Sequence, residues 1–157
     1  MKNRILMQFS LLMLLMAAGM VSAATAQSVS GSIGNGTVTR GSAARTTVVL
    51  MIPGGQHANS NRPGSQYAIP TTVRATSTGA KIGAVSYPRG TNRKFAFSEE
   101  TLNVYEGRPA FTFTVTVPPG FKGNSIAVRV VVKYQACTEE VCFPPKTKEI
   151  TLTARVK

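Results

Sequence analysis

The chain has 157 residues and a formal net charge of +12, with two cysteines, one histidine and no aspartate. One histidine and two cysteines fall short of the usual four-ligand zinc set, and five of the six methionines precede residue 21, so neither a metal site nor a bound cofactor is expected. A single histidine gives no basis for a serine or cysteine protease arrangement. The basic residues are scattered without a nucleic-acid-binding motif and read as a solvated surface, so nucleic acid is not an expected partner.

In chain order, residues 1–26 predict an export signal. Lys2 and Arg4 charge the start, Phe9–Val21 is an almost unbroken apolar run, and Ala24-Thr25-Ala26 supplies the small residues that signal peptidase cleaves. The run falls short of the roughly 18 to 20 residues of a spanning helix, so cleavage is expected in place of anchoring. No second long apolar run follows. The expected product, residues 27–157, is periplasmic or secreted and has no stable membrane insertion. Its 131 residues suit one domain with its own core and no need of staples, and 16 basic residues against six glutamates leave it at +10.

The Ser/Gly-rich stretch Gln27–Thr37 is expected to fray around a short strand at Val29–Ile33. Strand-forming runs follow at Arg45–Ile52, Ile69–Thr76, Lys81–Tyr87 and Leu102–Tyr105. The clearest is Ala110–Val117, where Phe111, Phe113, Val115 and Val117 alternate with threonines, the period-two pattern of a strand with one buried face. Ser125–Tyr134 and the alternation Ile150, Leu152, Ala154, Val156 complete the set. Turn clusters such as IPGG, NSNRPGS, YPRGTN and PPGFKGN separate them. Short strands punctuated this way predict an all-β fold, a single antiparallel sandwich of immunoglobulin-like type.

Both cysteines lie in YQACTEEVCFPP, Tyr134–Pro145. A Cys137–Cys142 disulfide would close a ring of six residues, for which chain entropy gives roughly 2 kcal/mol against nearly 5 for a ring of about 100. It is a poor staple. Pro144 and Pro145 cannot donate to a sheet ladder and predict a stiff, irregular segment behind Cys142, while the β-forming run before Cys137 anchors the first sulfur on the sheet. Such placement suits exchange with a partner thiolate, though small exported domains also carry inert hairpin disulfides. Glu139 and Glu140 favour a raised thiol pKa, and Lys133, Lys146 and Lys148 a lowered one.

YQACTEEVCFPPKT closely resembles the signature of the N-terminal periplasmic domain of the thiol:disulfide interchange protein DsbD. Three further stretches are similar to that family in order and spacing: Gly54–Val73 with its His-x-Asn-Ser core and Ile-Pro-Thr, VSYPRG at Val85–Gly90, and LNVYEG at Leu102–Gly107. The resemblance implies an immunoglobulin-like sandwich that takes electrons from a membrane domain and passes them to exported disulfide-bearing proteins. It assigns Cys137 and Cys142 as the redox pair, with Cys142 forming the mixed disulfide. Tyr134 and Phe143 become aromatic neighbours of the sulfurs, and Pro144 stiffens the exit. The family's covering loop falls at Thr91–Phe97, where Phe95 or Phe97 would be the aromatic cap. Acidic residues flank the cap in the best-known relatives, and Arg93 and Lys94 stand here instead.

With the sequence ending at Lys157, a separate donor is expected, either a membrane reductase or a thioredoxin-fold or other periplasmic redox protein. The competing expectation is an adaptor or binding module with a purely structural disulfide. His57 is expected to fill a structural hydrogen-bonding role.

Overall fold

The computed structural model describes residues 26–157, so the expected export signal lies, apart from Ala26, outside the described residues. Among the described residues, twelve strands form three four-stranded sheets. The first contains β1 (Ser28–Ile33), β3 (Ala43–Met51), β9 (Ala110–Thr116) and β6 (Lys81–Ile82), in that order. The second contains β2 (Thr37–Val38), β12 (Lys146–Val156), β10 (Ser125–Tyr134) and β5 (Thr72–Thr76). The third, smaller sheet orders β11 (Ala136–Cys137), β4 (His57–Asn59), β8 (Leu102–Tyr105) and β7 (Thr91–Arg93).

The period-two patterns explain the first two sheets. On β10, Ile126, Val128, Val130, Val132 and Tyr134 point inward while Arg129 and Lys133 face water; on β9, Phe111, Phe113 and Val115 do the same. These faces, joined by Val48 and Leu50 of β3 and Leu152 of β12, form one continuous core. Each such side chain contributes roughly 1.5–3 kcal/mol on burial. The two sheets make the immunoglobulin-like sandwich that the alternation predicts. Every strand pairing is antiparallel except that of β2 with β12. Among the described residues, no helix is long and apolar enough to cross a membrane.

Several boundaries differ from expectation. Gln27–Thr37 is not frayed: all six residues of β1 pair with β3. Gly31 permits this close seating, since a Cβ there would come within 2.5 Å of the Thr47 carbonyl oxygen. The run Lys81–Tyr87 shrinks to β6 and one bridge, Ser86 to Thr112, because an extra residue between the two pairings breaks the ladder. The run at Ile69 begins only at Thr72, after Pro70. Strand β12 starts at Lys146, directly behind the prolines, so the irregular segment is confined to Phe143–Pro145. The charged Lys146, Lys148 and Glu149 hide this half of the strand from an apolar pattern. Strands β2, β4, β7 and β11 span only two or three residues, too short for any period.

Candidate functional site

Strand β10 ends at Tyr134, and after Gln135 the chain re-enters a sheet as β11. Cys137 faces Cys142 across a tight hairpin. On its turn side the Thr138 amide donates to the Val141 carbonyl at 2.8 Å, and on the other side the Phe143 amide donates to the Ala136 carbonyl at 2.8 Å. The cysteines thus occupy a non-hydrogen-bonded pair, the position where facing side chains approach most closely. Their disulfide is closed, with an S–S distance of 2.04 Å and a Cα–Cα distance of 3.9 Å. Thr138 shapes the turn, its hydroxyl accepting from the amides of Glu140 (3.3 Å) and Val141 (3.1 Å). The two sulfur-bearing residues differ in access. Cys137 is fully buried, whereas Cys142 is half-buried beside Val141, which is 55% exposed.

Strand β4 sets His57 opposite Cys137, which puts both side chains on one face of the ladder. His57 is itself buried and stacks on Phe95 at 4.1 Å between ring centroids; Phe97 stacks on Phe95 at 5.2 Å. The hydrogen-bonding role expected of His57 is not found, because Nε2 has no partner among the described residues. Burial lowers its pKa below 6.5, Arg93 acting in the same direction and Glu139 and Glu106 against it. It is a neutral aromatic plate between the disulfide strand and the Phe95 ring.

The remaining expected neighbours spread over three surroundings. Phe95 belongs to a small cluster with Leu102 and Val104, while Phe97, 39% exposed, lines a cleft of about 450 Å³ together with Cys142. Tyr134 lies in the sandwich core with an unpartnered hydroxyl whose pKa burial raises. Phe143 packs half-buried against the same core, and Pro144 is exposed ahead of β12. Phe97 and Cys142 therefore line one cleft, His57 opposite Cys137 stacks on Phe95, and Tyr134 and Phe143 belong to the sandwich core.

Charge around the site is arranged in a way the sequence reading missed. The first half of Thr91–Phe97 is strand β7, and from it Arg93 bonds Glu106 at 2.6 Å and Glu139 of the cysteine loop at 2.9 Å. Its guanidinium also sits 5.5 Å above the Phe95 ring. Glu99 and Glu100 line the cleft, and Glu140 lies in the cysteine loop. Five of the six glutamates of a basic chain thus collect around one disulfide. The adjacent pairs Glu99-Glu100 and Glu139-Glu140 were the available signal.

Asn59 and Gln135 had no signal at all. Asn59 Nδ2 donates to Gln135 Oε1 and to the Ile69 carbonyl, both at 3.2 Å, and Gln135 Nε2 donates to the Phe143 carbonyl at 3.2 Å. This amide relay ties the cleft wall to the residue after Cys142. Among the described residues there is no cluster of three or more His, Cys, Asp or Glu side chains that could hold a metal ion.

The model of the family described as "Thiol:disulfide interchange protein DsbD, N-terminal" matches residues 38–154. The chain belongs to the DsbD N-terminal domain family. Its closed Cys137–Cys142 pair and this membership fit thiol–disulfide exchange. The DsbD N-terminal domain is periplasmic, and membership implies periplasmic redox partners. No curated protein sequence matches the chain. Among solved structures, the N-terminal periplasmic domain of ScsB from Proteus mirabilis is similar at a TM-score of 0.51 and 10% identity. That match covers 82% of this chain and 44% of the other, so the chain spans less than half of that relative. The DsbD N-terminal domain of Neisseria meningitidis in its reduced form matches at a TM-score of 0.45 and 19% identity, covering 70% and 80%.

Proposed function

We propose that residues 27–157 form one exported domain that carries electrons from a separate donor to periplasmic disulfide-bearing proteins through Cys137 and Cys142. The observation that carries this reading is the asymmetry of the pair, with Cys137 fully buried on β11 and Cys142 half-buried at the cleft. In the reduced domain the Cys142 thiolate attacks one sulfur of a partner disulfide, forming a mixed disulfide and releasing the other partner sulfur as a thiolate. The Cys137 thiolate then attacks Cys142 and releases the second partner sulfur. Two electrons, with two protons from solvent, have passed to the partner, and the domain disulfide has closed again. A dithiol donor regenerates the domain by the reverse sequence.

Phe95 and Phe97 shield the pair on the cleft side in this reading, and Tyr134, Phe143 and Pro144 fix the hairpin from which Cys142 projects. The donor is a membrane reductase or a thioredoxin-fold protein, and no bound cofactor takes part. The deciding experiment is the reduction potential of the pair, measured by equilibrating the purified domain in graded thiol buffers and counting alkylated cysteines by mass. A value above roughly −250 mV supports exchange, and one below roughly −300 mV marks a structural bridge and a binding module instead.

A further inference from the structure

The cleft beside Cys142 has a chemistry that its surroundings do not share. Outside it the chain is basic, with 16 lysines and arginines in residues 27–157. Inside it, Tyr67, Phe97 and Leu102 provide apolar and aromatic walls, and Glu99 and Glu100 provide the only charges. Both glutamates are exposed, and among the described residues neither carboxylate joins an ion pair, although Lys94 donates from Nζ to the Glu99 backbone carbonyl. A second, independent feature points to a missing occupant. Asn59 also lines the cleft; it is 1% exposed, both of its amide hydrogens are used, and its Oδ1 accepts from nothing among the described residues. A buried acceptor without a donor costs about 1–3 kcal/mol, and because Oδ1 has no exposed surface a donor entering the cleft reaches it only as the wall shifts.

Aromatic walls, free carboxylates and an unsatisfied acceptor together describe the complement of one kind of side chain. It has an apolar stem to lie along Tyr67 and Phe97, a positive head, and several N–H donors. Lysine and arginine have this form, and each stacks its cation favourably on an aromatic face. The volume of about 450 Å³ is that of a small ligand site, ample for one such side chain and part of its backbone. Cys142 lies in the same wall, which fixes where on the partner this residue stands: close to the cysteine under attack.

We propose that the cleft is a specificity pocket for a lysine or arginine that neighbours the reacting cysteine of a partner polypeptide. This rests on the exchange reading above and adds to it the class of partner, a disulfide flanked by a basic residue. It runs against the long-range field of the domain, which at +10 repels a basic peptide and attracts an acidic one. The preference is therefore diagnostic, because net charge alone predicts the opposite order.

The test uses the reduced protein and cyclic disulfide peptides identical except for one position next to a cysteine, which is Lys, Gln or Glu. Bis(2-hydroxyethyl) disulfide serves as a neutral probe too small to fill the cleft. At low ionic strength the Lys peptide should be reduced about five-fold faster than the Gln peptide, an exposed ion pair being worth up to that factor. The Glu peptide should be slowest, and 0.5 M salt should compress the series. Glu99→Gln combined with Glu100→Gln should bring the Lys and Gln rates, each divided by the rate with hydroxyethyl disulfide, within about two-fold, since any change in thiolate reactivity scales all three probes alike; an unaltered denaturant transition shows the variant folded. Glu149→Gln, on β12 and ion-paired with Arg129, should keep the full preference. Equal rates for all three peptides, or a faster Glu peptide, overturn the pocket and leave exchange intact. Failure to reduce any probe, hydroxyethyl disulfide included, overturns the exchange reading and the pocket with it.

Discussion

The sandwich body and the cysteine corner are built on opposite principles. In the body, long strands such as β3, β9, β10 and β12 pair over seven to ten residues, and the buried positions of their inner faces are apolar apart from Thr46 and the Tyr134 hydroxyl. In the corner, strands of two to four residues carry a buried histidine and a buried asparagine with an unpartnered oxygen, and the loops between them carry five glutamates. The body supplies the stability, which lets the corner keep polar groups unsatisfied and a disulfide that closes only a small ring. Stability and chemistry are thus separable here, and that separation can be attacked from either side.

The largest effect should come from the body. Phe113→Ala removes a buried ring of β9 from the sandwich core, and should lower unfolding free energy by about 3–5 kcal/mol in denaturant titration. The reduction potential of the disulfide should stay within error of the unmodified protein if body and corner are independent. Reducing the disulfide comes second. A ring of six residues predicts a loss of roughly 2 kcal/mol, visible as a lower denaturant midpoint with an unchanged slope. A loss nearer 5 kcal/mol would mean that the bridge is a principal staple and that the division proposed here is wrong.

The same division explains what the sequence revealed. Residues that serve the body announce themselves: Phe111 to Val117 and Ile126 to Tyr134 alternate because one face of each strand meets the other sheet, and with the β-rich runs between turn clusters eight strand positions could be placed. The corner has no such rule. His57–Asn59 and Thr91–Arg93 are too short to show a period, and their neighbours are fixed by long-range pairing, His57 with Cys137 and Thr91 with Val104. The cysteine hairpin was legible because two thiols and two prolines are rare and local. The Asn59–Gln135 relay spans 76 positions and the Arg93–Glu139 bridge 46, so nothing local records either.

His57 provides a pH handle on the corner alone. Burial keeps its folded-state pKa below the ordinary 6.5, with Arg93 assisting and Glu139 and Glu106 opposing. Above that value the ring is neutral in both states, and its contribution is constant. As pH falls below about 6.5, the unfolded chain binds a proton that the folded chain refuses, so stability declines until the folded pKa is passed. The denaturant midpoint should therefore drop between pH 7.5 and 5.5, and His57→Gln should flatten that segment of the profile. An equal drop in the variant would assign the effect to other groups.

The smallest effect should come from Arg93, and it bears most directly on how the corner is held. The guanidinium joins β7, the end of β8 through Glu106, and the cysteine loop through Glu139. All three side chains are more than a third exposed, so each pair contributes at most about 1 kcal/mol and is weakened by salt. Arg93→Ala should shift global stability by no more than that. Yet β7 is an edge strand of three residues, and the hairpin turn after Thr138 is exposed from Glu139 to Val141. Their amides should therefore lose hydrogen-exchange protection in the variant, and in the unmodified protein at 0.5 M salt, while those of β10 do not change. If Thr91–Arg93 and Thr138 exchange as slowly in the variant as before, backbone pairing alone holds the corner closed, and the bridge is merely a surface ion pair.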